Sequence, residues 1–253
     1  MKRRDRLVIA DSVKKQIFNK YGKEVLAIAV YGSLAQELDE RYSDVEMYTI
    51  LKKDYKDKNN NFAIYKGIPV SYWLITDNEV LEKIKEIDGS WPEWPQNVVT
   101  YLDPLVLYDY GNIFEKYKKI VDKIPQKIFM SEAEKTMLLL YEQICKIKNA
   151  NLKKDDFNLV YESRELAWFV FMFVAFVNRK YYTSTKTRLS ESVKFGKLPK
   201  DYERLMQILL GMGRVDNKKL YESSLEMWKN IFVFGKRLGM GLKEIRSFRG
   251  FVR

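Results

Sequence analysis

The hydrophobic pattern changes character at Pro125, and that change constrains the fold more than any other feature of the chain. Before it, apolar residues come in short runs bounded by Gly, Pro or charged clusters. After it, they recur at the three-to-four spacing of helices. Proline seldom lies inside a helix, because it lacks an N–H and its ring clashes with the preceding turn. The expectation is an α+β chain of two domains: a mixed sheet with helices over 1–125, and a helical bundle over 126–253. A length of 253 residues is enough for an apolar core in each.

Within the first half, Leu7, Val8, Val13, Ile17 and Phe18 predict a helix over 5–21, stopped at Gly22. Val25 to Tyr31 reads as a buried strand that ends at Gly32-Ser33, and residues 34–38 open a short helix. A polar loop over 39–43 leads into 44–50, which alternate so that Asp44, Glu46 and Tyr48 share one face. Lys52 to Asn61 reads as a charged hairpin or loop, and 62–74 as two strands or one long bent one. Thr76 and Glu79 form a capping box that opens a helix over 77–87. Trp91 to Pro95 reads as a rigid surface stretch, 105–108 as a buried strand and 113–124 as a helix. In the second half, Ser131 with Glu134 predicts a capped helix running to about Lys148, followed by a long loop over 149–157. Residues 163–180 are apolar on nearly all sides at their middle, as a helix inside a bundle is. Helices over 189–195, 202–210 and 217–238 complete the pattern.

With no histidine and a single cysteine, Cys145, the chain has no intramolecular disulfide, histidine base or common zinc site. Chemistry is left to carboxylates, lysines, hydroxyls or a hard metal held by oxygen. A net charge of +11 favours anionic partners such as triphosphates or nucleic acid. The basic stretches Lys243 to Arg253 and Arg179 to Lys200 keep an RNA-directed role open. No apolar stretch of signal-peptide length follows Met1 to Arg6, and Leu166 to Val177 is too short to cross a bilayer. The expectation is a soluble, cytoplasmic chain.

Asp44 and Glu46 stand at i and i+2 of a predicted strand, so their carboxylates point the same way with Cβ atoms roughly 6–7 Å apart. Magnesium takes hard oxygen ligands, often one or two carboxylates plus substrate phosphates. Gly32 lets the backbone approach a phosphate closely. Ser33 adds a hydroxyl and an N–H, and a helix opening at Leu34 adds further donors.

The spacing Gly32-Ser33, ten residues, Asp44-x-Glu46 resembles the nucleotidyltransferase superfamily that includes the beta-type DNA polymerases. Tyr31 to Met47, YGSLAQELDERYSDVEM, is closer still to the aminoglycoside 4'-nucleotidyltransferase (kanamycin nucleotidyltransferase) family. The likeness recurs at Trp94-Pro95, Leu107 to Asp109 with Gly111, Glu142 with Lys146, Arg179 to Thr183, Leu189 to Val193, and Leu198-Pro199 with Tyr202. It spans nearly the whole chain. It implies transfer of a nucleoside monophosphate from ATP or another NTP to a hydroxyl of a small acceptor, aminoglycoside-like in the relatives. It further implies that Asp44 and Glu46 hold Mg²⁺, that Gly32 and Ser33 cradle the triphosphate, and that Lys146 contacts phosphate. Glu142 is the implied general base, supplied across a homodimer interface. Independently of the resemblance, Leu138 and Cys145 share Glu142's side of its helix, which predicts a partly desolvated carboxylate. A surface ion pair with Lys146 at i+4 is the competing reading of the same residues.

One position departs from the family. Its third carboxylate, on a neighbouring strand, falls at Pro69, and Ser71 on the same strand face is a poor Mg²⁺ ligand. Three outcomes stay open: one-metal catalysis with Glu142 as base, nucleotide binding without turnover, or recruitment of another acid from the Glu37–Glu40 loop.

Overall fold

The computed structural model describes residues 1–54, 61–87 and 93–242. Its contacts group Met1–Ile87, Trp94–Pro125 and Tyr181–Thr187 into one compact unit. Gln126–Lys180 and residues 188–242 belong to a second.

The first unit runs α1 (Arg3–Tyr21), a single 3₁₀ turn, β1 (Val25–Tyr31), α2 (Gly32–Ala35), β2 (Val45–Leu51), β3 (Asn61–Tyr65), β4 (Ile68–Thr76), α3 (Asp77–Lys85), α4 (Trp94–Asn97), α5 (Val99–Leu102), β5 (Leu105–Asp109) and α6 (Ile113–Asp122). The strands form one mixed sheet in the order β3-β4-β2-β1-β5. Only β2 and β4 pair in parallel; the remaining ladders are antiparallel. The turn from β3 to β4 is made by Lys66 and Gly67, both at positive φ, as a two-residue hairpin requires.

Alternation in the strands gives the sheet two differently dressed faces. On one, Ile28, Val30, Val45, Met47 and Leu74 pack with Ala10 and Ile17 of α1. On the other, Tyr48 stacks on Trp73 with ring centroids 5.2 Å apart, and Tyr101 and Phe114 meet Tyr48 edge-on. Glu46 lies two residues before Tyr48, so it emerges at the end of this aromatic face. The predicted Thr76 cap is present: its hydroxyl accepts from the Glu79 N–H, and the Glu79 carboxylate accepts from the Thr76 N–H at 2.7 Å.

Trp94 and Pro95 are buried rather than on the surface, with the Trp94 indole donating to the Ile84 carbonyl at 3.1 Å. Trp91 and Pro92, most of the predicted 52–61 loop and the basic stretch 243–253 lie outside the described residues.

The second unit contains α7 (Gln126–Lys153), α8 (Asp156–Asn178), α9 (Arg188–Ser192), α10 (Tyr202–Leu209) and α11 (Asn217–Arg237). Two expectations are corrected. Ser131 does not start a helix: α7 begins at Gln126, directly after Pro125, a position where a missing N–H needs no intrahelical partner. Phe129 and Ala133 are buried on either side of Ser131, and Glu134 accepts from the Gly241 N–H at 3.0 Å instead of closing a cap. The predicted loop over 149–157 contracts to two residues, because α7 continues to Lys153 and Asp155 caps α8 by accepting from the Asn158 N–H. Every residue from Phe169 to Val177 is buried, as the apolar run requires. The helices touch where side chains are small. Ser163 and Ser224 approach to 3.2 Å between α8 and α11, and Gly235 of α11 admits the Met137 side chain of α7. No helix among the described residues is long and apolar enough to cross a membrane.

Candidate active site

The antiparallel register of β1 and β2 sets Tyr31 directly opposite Glu46, and the parallel register of β2 and β4 sets Ser71 on its other side. Glu46 therefore emerges between a phenol and a hydroxyl. The Trp73 indole donates to the Tyr31 oxygen at 3.2 Å, and Tyr31 in turn hydrogen-bonds the Glu46 carboxylate. Burial raises the pKa of Glu46, and the charge of Asp44 raises it further, while the bond from Tyr31 opposes both. Tyr31 is pushed up to about 12, first by burial and then by the Glu46 charge. Two half-buried carboxylates whose charges oppose each other form an arrangement that a divalent cation relieves.

Gly32 follows Tyr31 at φ +69°, and a Cβ built there would intrude on Glu46 Oε2. The backbone conformation here favours glycine, and a side chain would also push the Glu46 carboxylate aside and so disturb the acid pair. Ser33 sits in the first turn of the four-residue helix α2. Gly32, Ser33, Asp44, Glu46 and Tyr31 open on one cleft of about 350 Å³ within the first unit. The donor set fits a hard cation: two carboxylates beside a glycine turn, with phosphate oxygens of a substrate to complete the shell.

The ten residues between Ser33 and Asp44 are pinned by helix α1. Arg6 is 1% exposed. Its Nε donates to the Ser43 carbonyl at 2.9 Å, its Nη1 to Asp39 Oδ2 at 3.1 Å, and its Nη2 to the Glu40 carbonyl. Arg3 donates to the Leu34 carbonyl at 2.8 Å and to the other Asp39 oxygen. Asp39 is thereby committed to two arginines with 3% of its side chain exposed, while Glu37 and Glu40 are 83% and 79% exposed. Recruitment of a third acid from this loop is not what the structure holds. Among the described residues, no group of three or more acids, cysteines or histidines is placed to hold a metal. Pro69 occupies β4 two residues before Ser71, so the strand beside Glu46 offers a hydroxyl and a ring where a carboxylate would stand.

Sequence reasoning did not find the opposite wall. Gln96, Asn97 and Thr100 line it, together with Thr183, Ser184, Thr185 and Lys186. The last four come from a loop more than fifty residues beyond Pro125, yet it packs with the first unit. Tyr182 is fully buried and its N–H donates to the Pro95 carbonyl at 2.8 Å; the Tyr181 hydroxyl donates to Asp103 at 2.6 Å. The only early signal was the likeness at Arg179 to Thr183, which carried no position in space.

Glu142 and Lys146 lie together on α7 in the second unit, 3.3 Å apart as an i,i+4 ion pair. The Glu142 side chain is 60% exposed and so is Leu138. The expected desolvation is therefore not supplied by its neighbours on the helix. The pair borders a hollow of about 180 Å³ with Glu162, Glu165, Tyr161 and Phe169. Gln143 donates to both the backbone carbonyl and the carboxylate of Glu162.

A mixed sheet with an acid pair beside a Gly-Ser turn, followed by a helical bundle, defines a chain of the nucleotidyltransferase-like fold class. A solved nucleotidyltransferase-like protein from Exiguobacterium sibiricum superposes with a TM-score of 0.52 at 10% identity, over 88% of this chain and 76% of that one. Residues 111–240 match the KNTase C-terminal domain, more than half of the sequence, and the chain belongs to that family. It is also similar to two proteins named aminoglycoside nucleotidyltransferase (4'), one from Staphylococcus aureus and one from a Bacillus species. Each is 28% identical over 94% of this chain and 93% of the relative.

Proposed function

We propose that this protein transfers a nucleoside monophosphate from ATP or another NTP to a hydroxyl of a small acceptor. The observation that carries the reading is the Asp44–Glu46 pair, half-buried beside the Gly32-Ser33 turn and opening on one cleft. The names of the relatives favour an aminoglycoside-like acceptor. So does the local charge beside Glu142. Although the chain carries +11 overall, Glu142, Glu162 and Glu165 border that hollow with Lys146 as the one cation among them. In this reading residues 1–125, joined by the 181–187 loop, are the catalytic domain, and the rest of 126–253 is the helical domain.

Asp44 and Glu46 would hold Mg²⁺, and that ion, when bound, would supply charge neutralisation for a leaving pyrophosphate. Gly32 and Ser33 bind the triphosphate through backbone N–H groups and a hydroxyl. Glu142 accepts the proton of the acceptor hydroxyl; the oxygen bonds to the α-phosphorus as the bond to the bridging oxygen breaks. Lys146 keeps Glu142 oriented and reaches phosphate. A homodimer, with Glu142 from the partner, brings base and acid pair to one substrate. Labelled ATP, Mg²⁺ and an aminoglycoside panel test this: labelled acceptor and pyrophosphate are expected, and an Asp44→Asn protein as active as the parent would refute it.

Pro69 and Ser71 motivate a second reading, in which the protein binds nucleotide without turning it over. It predicts thermal stabilisation by Mg²⁺ and ATP with no product. Occupancy at a hundredfold over Kd adds ~2.7 kcal/mol to apparent stability.

A further inference from the structure

We propose that Lys186 is a second phosphate-binding residue of this cleft, delivered from the same unit as the acid pair, and that it selects for the triphosphate of the incoming nucleotide. The inference rests on the proposed nucleotide site and assigns a residue that neither the motif nor the resemblance singled out.

The electrostatics of the cleft call for such a group. Asp44 and Glu46 face a ligand that itself carries about four negative charges, and one divalent cation leaves much of that unbalanced. Among the described residues, Lys186 is the single lysine or arginine lining the cleft.

The loop that carries it is anchored at its base and ready at its tip. Tyr181 and Tyr182 fix the base through Asp103 and the Pro95 carbonyl. At the tip, the Lys186 N–H donates to the Ser184 hydroxyl at 3.2 Å, closing a tight turn. The ammonium is held only loosely: it lies 3.4 Å from the Leu38 carbonyl and 3.9 Å from Glu40, a carboxylate that is itself 79% exposed. Lys186 is 47% exposed. A half-exposed ammonium on a flexible four-carbon stem gives up two long, solvated contacts at little cost when a polyphosphate offers charge-assisted ones. Thr183, Ser184 and Thr185 line the same wall, so the loop presents hydroxyls and one cation toward the space the acid pair faces.

The test measures binding of a non-hydrolysable α,β-methylene ATP analogue with Mg²⁺ by calorimetry, to the parent chain, Lys186→Met and Lys186→Arg, with adenosine as the uncharged control. Losing one charge-assisted contact predicts about 10- to 100-fold weaker triphosphate binding for Lys186→Met. Adenosine affinity should be unchanged and the melting temperature the same, and Lys186→Arg should recover most of the loss. In turnover, KM for the nucleotide rises while KM for the acceptor stays. If the parent binds the analogue and Lys186→Met binds it within twofold, the Lys186 assignment is wrong and the nucleotide site stands. If the parent itself does not bind it, the site falls and the assignment with it.

Discussion

The acid pair Asp44–Glu46 and the ion pair Glu142–Lys146 are built on opposite plans. Asp44 and Glu46 sit at the end of an aromatic sheet face, with Glu46 between Tyr31 and Ser71 and its pKa raised by burial. Glu142 and Lys146 lie on an exposed helix face, paired with each other. The first site holds unfavourable charge in place through its surroundings, a sign of stability exchanged for function. The second has no such surroundings in its own unit. A base that is to work there needs cover from a ligand or from a partner subunit.

The sharpest break between the plans is in turnover. Asp44→Asn is expected to reduce pyrophosphate release about 1000-fold or more without lowering the melting temperature. Glu142→Gln is expected to lower kcat about 100- to 1000-fold. If Glu142 acts across a dimer, mixing Asp44→Asn and Glu142→Gln proteins restores up to a quarter of parental activity through hybrid dimers. No recovery would place the whole site in one chain.

Stability separates the plans next. Arg6→Met removes one of the two arginines that balance buried Asp39, together with the donors to the Ser43 and Glu40 carbonyls, and should cost about 3 kcal/mol in urea unfolding. Removing the exposed partner, Lys146→Met, should change stability by less than about 0.5 kcal/mol.

The smallest effect carries the most telling sign. Because the folded-state pKa of Glu46 lies above its unfolded value, the native protein binds more protons in the window between the two. Stability therefore falls as pH rises through that window, and the full penalty applies above it. Without divalent ions at neutral pH, Glu46→Gln should melt ~1–3 °C higher than the parent. With Mg²⁺ and nucleotide added, the parent should gain and the variant should not. Metal affinity should fade on acidification at a higher pH than for an ordinary carboxylate, since Glu46 must be ionised to bind.

Much of this was legible in the residues. The apolar run ending at Gly32, the alternation from Asp44 and the Thr76–Glu79 cap are local signals, and local signals survive folding. What was missed is of another kind. That Tyr31 faces Glu46 depends on strand register, and that Asp39 is spent on Arg3 and Arg6 depends on a helix thirty residues upstream. Ser131 looked like a cap because serine favours that role, but burial of Phe129 and Ala133 carried the helix past it. The wall holding Lys186 depends on a chain reversal that no periodicity encodes.

That reversal governs when the protein becomes competent. As synthesis proceeds from the amino terminus, the sheet and the acid pair can form once Pro125 has emerged, yet the cleft stays open on one side until Thr187 follows. In sequence, α7 and α8 are made after the sheet and before the last piece of the cleft, so that piece arrives only once both helices have been synthesised. A nascent chain halted after the sheet would carry the acid pair and the Gly32-Ser33 turn without the wall of Thr183 to Lys186 that closes their cleft.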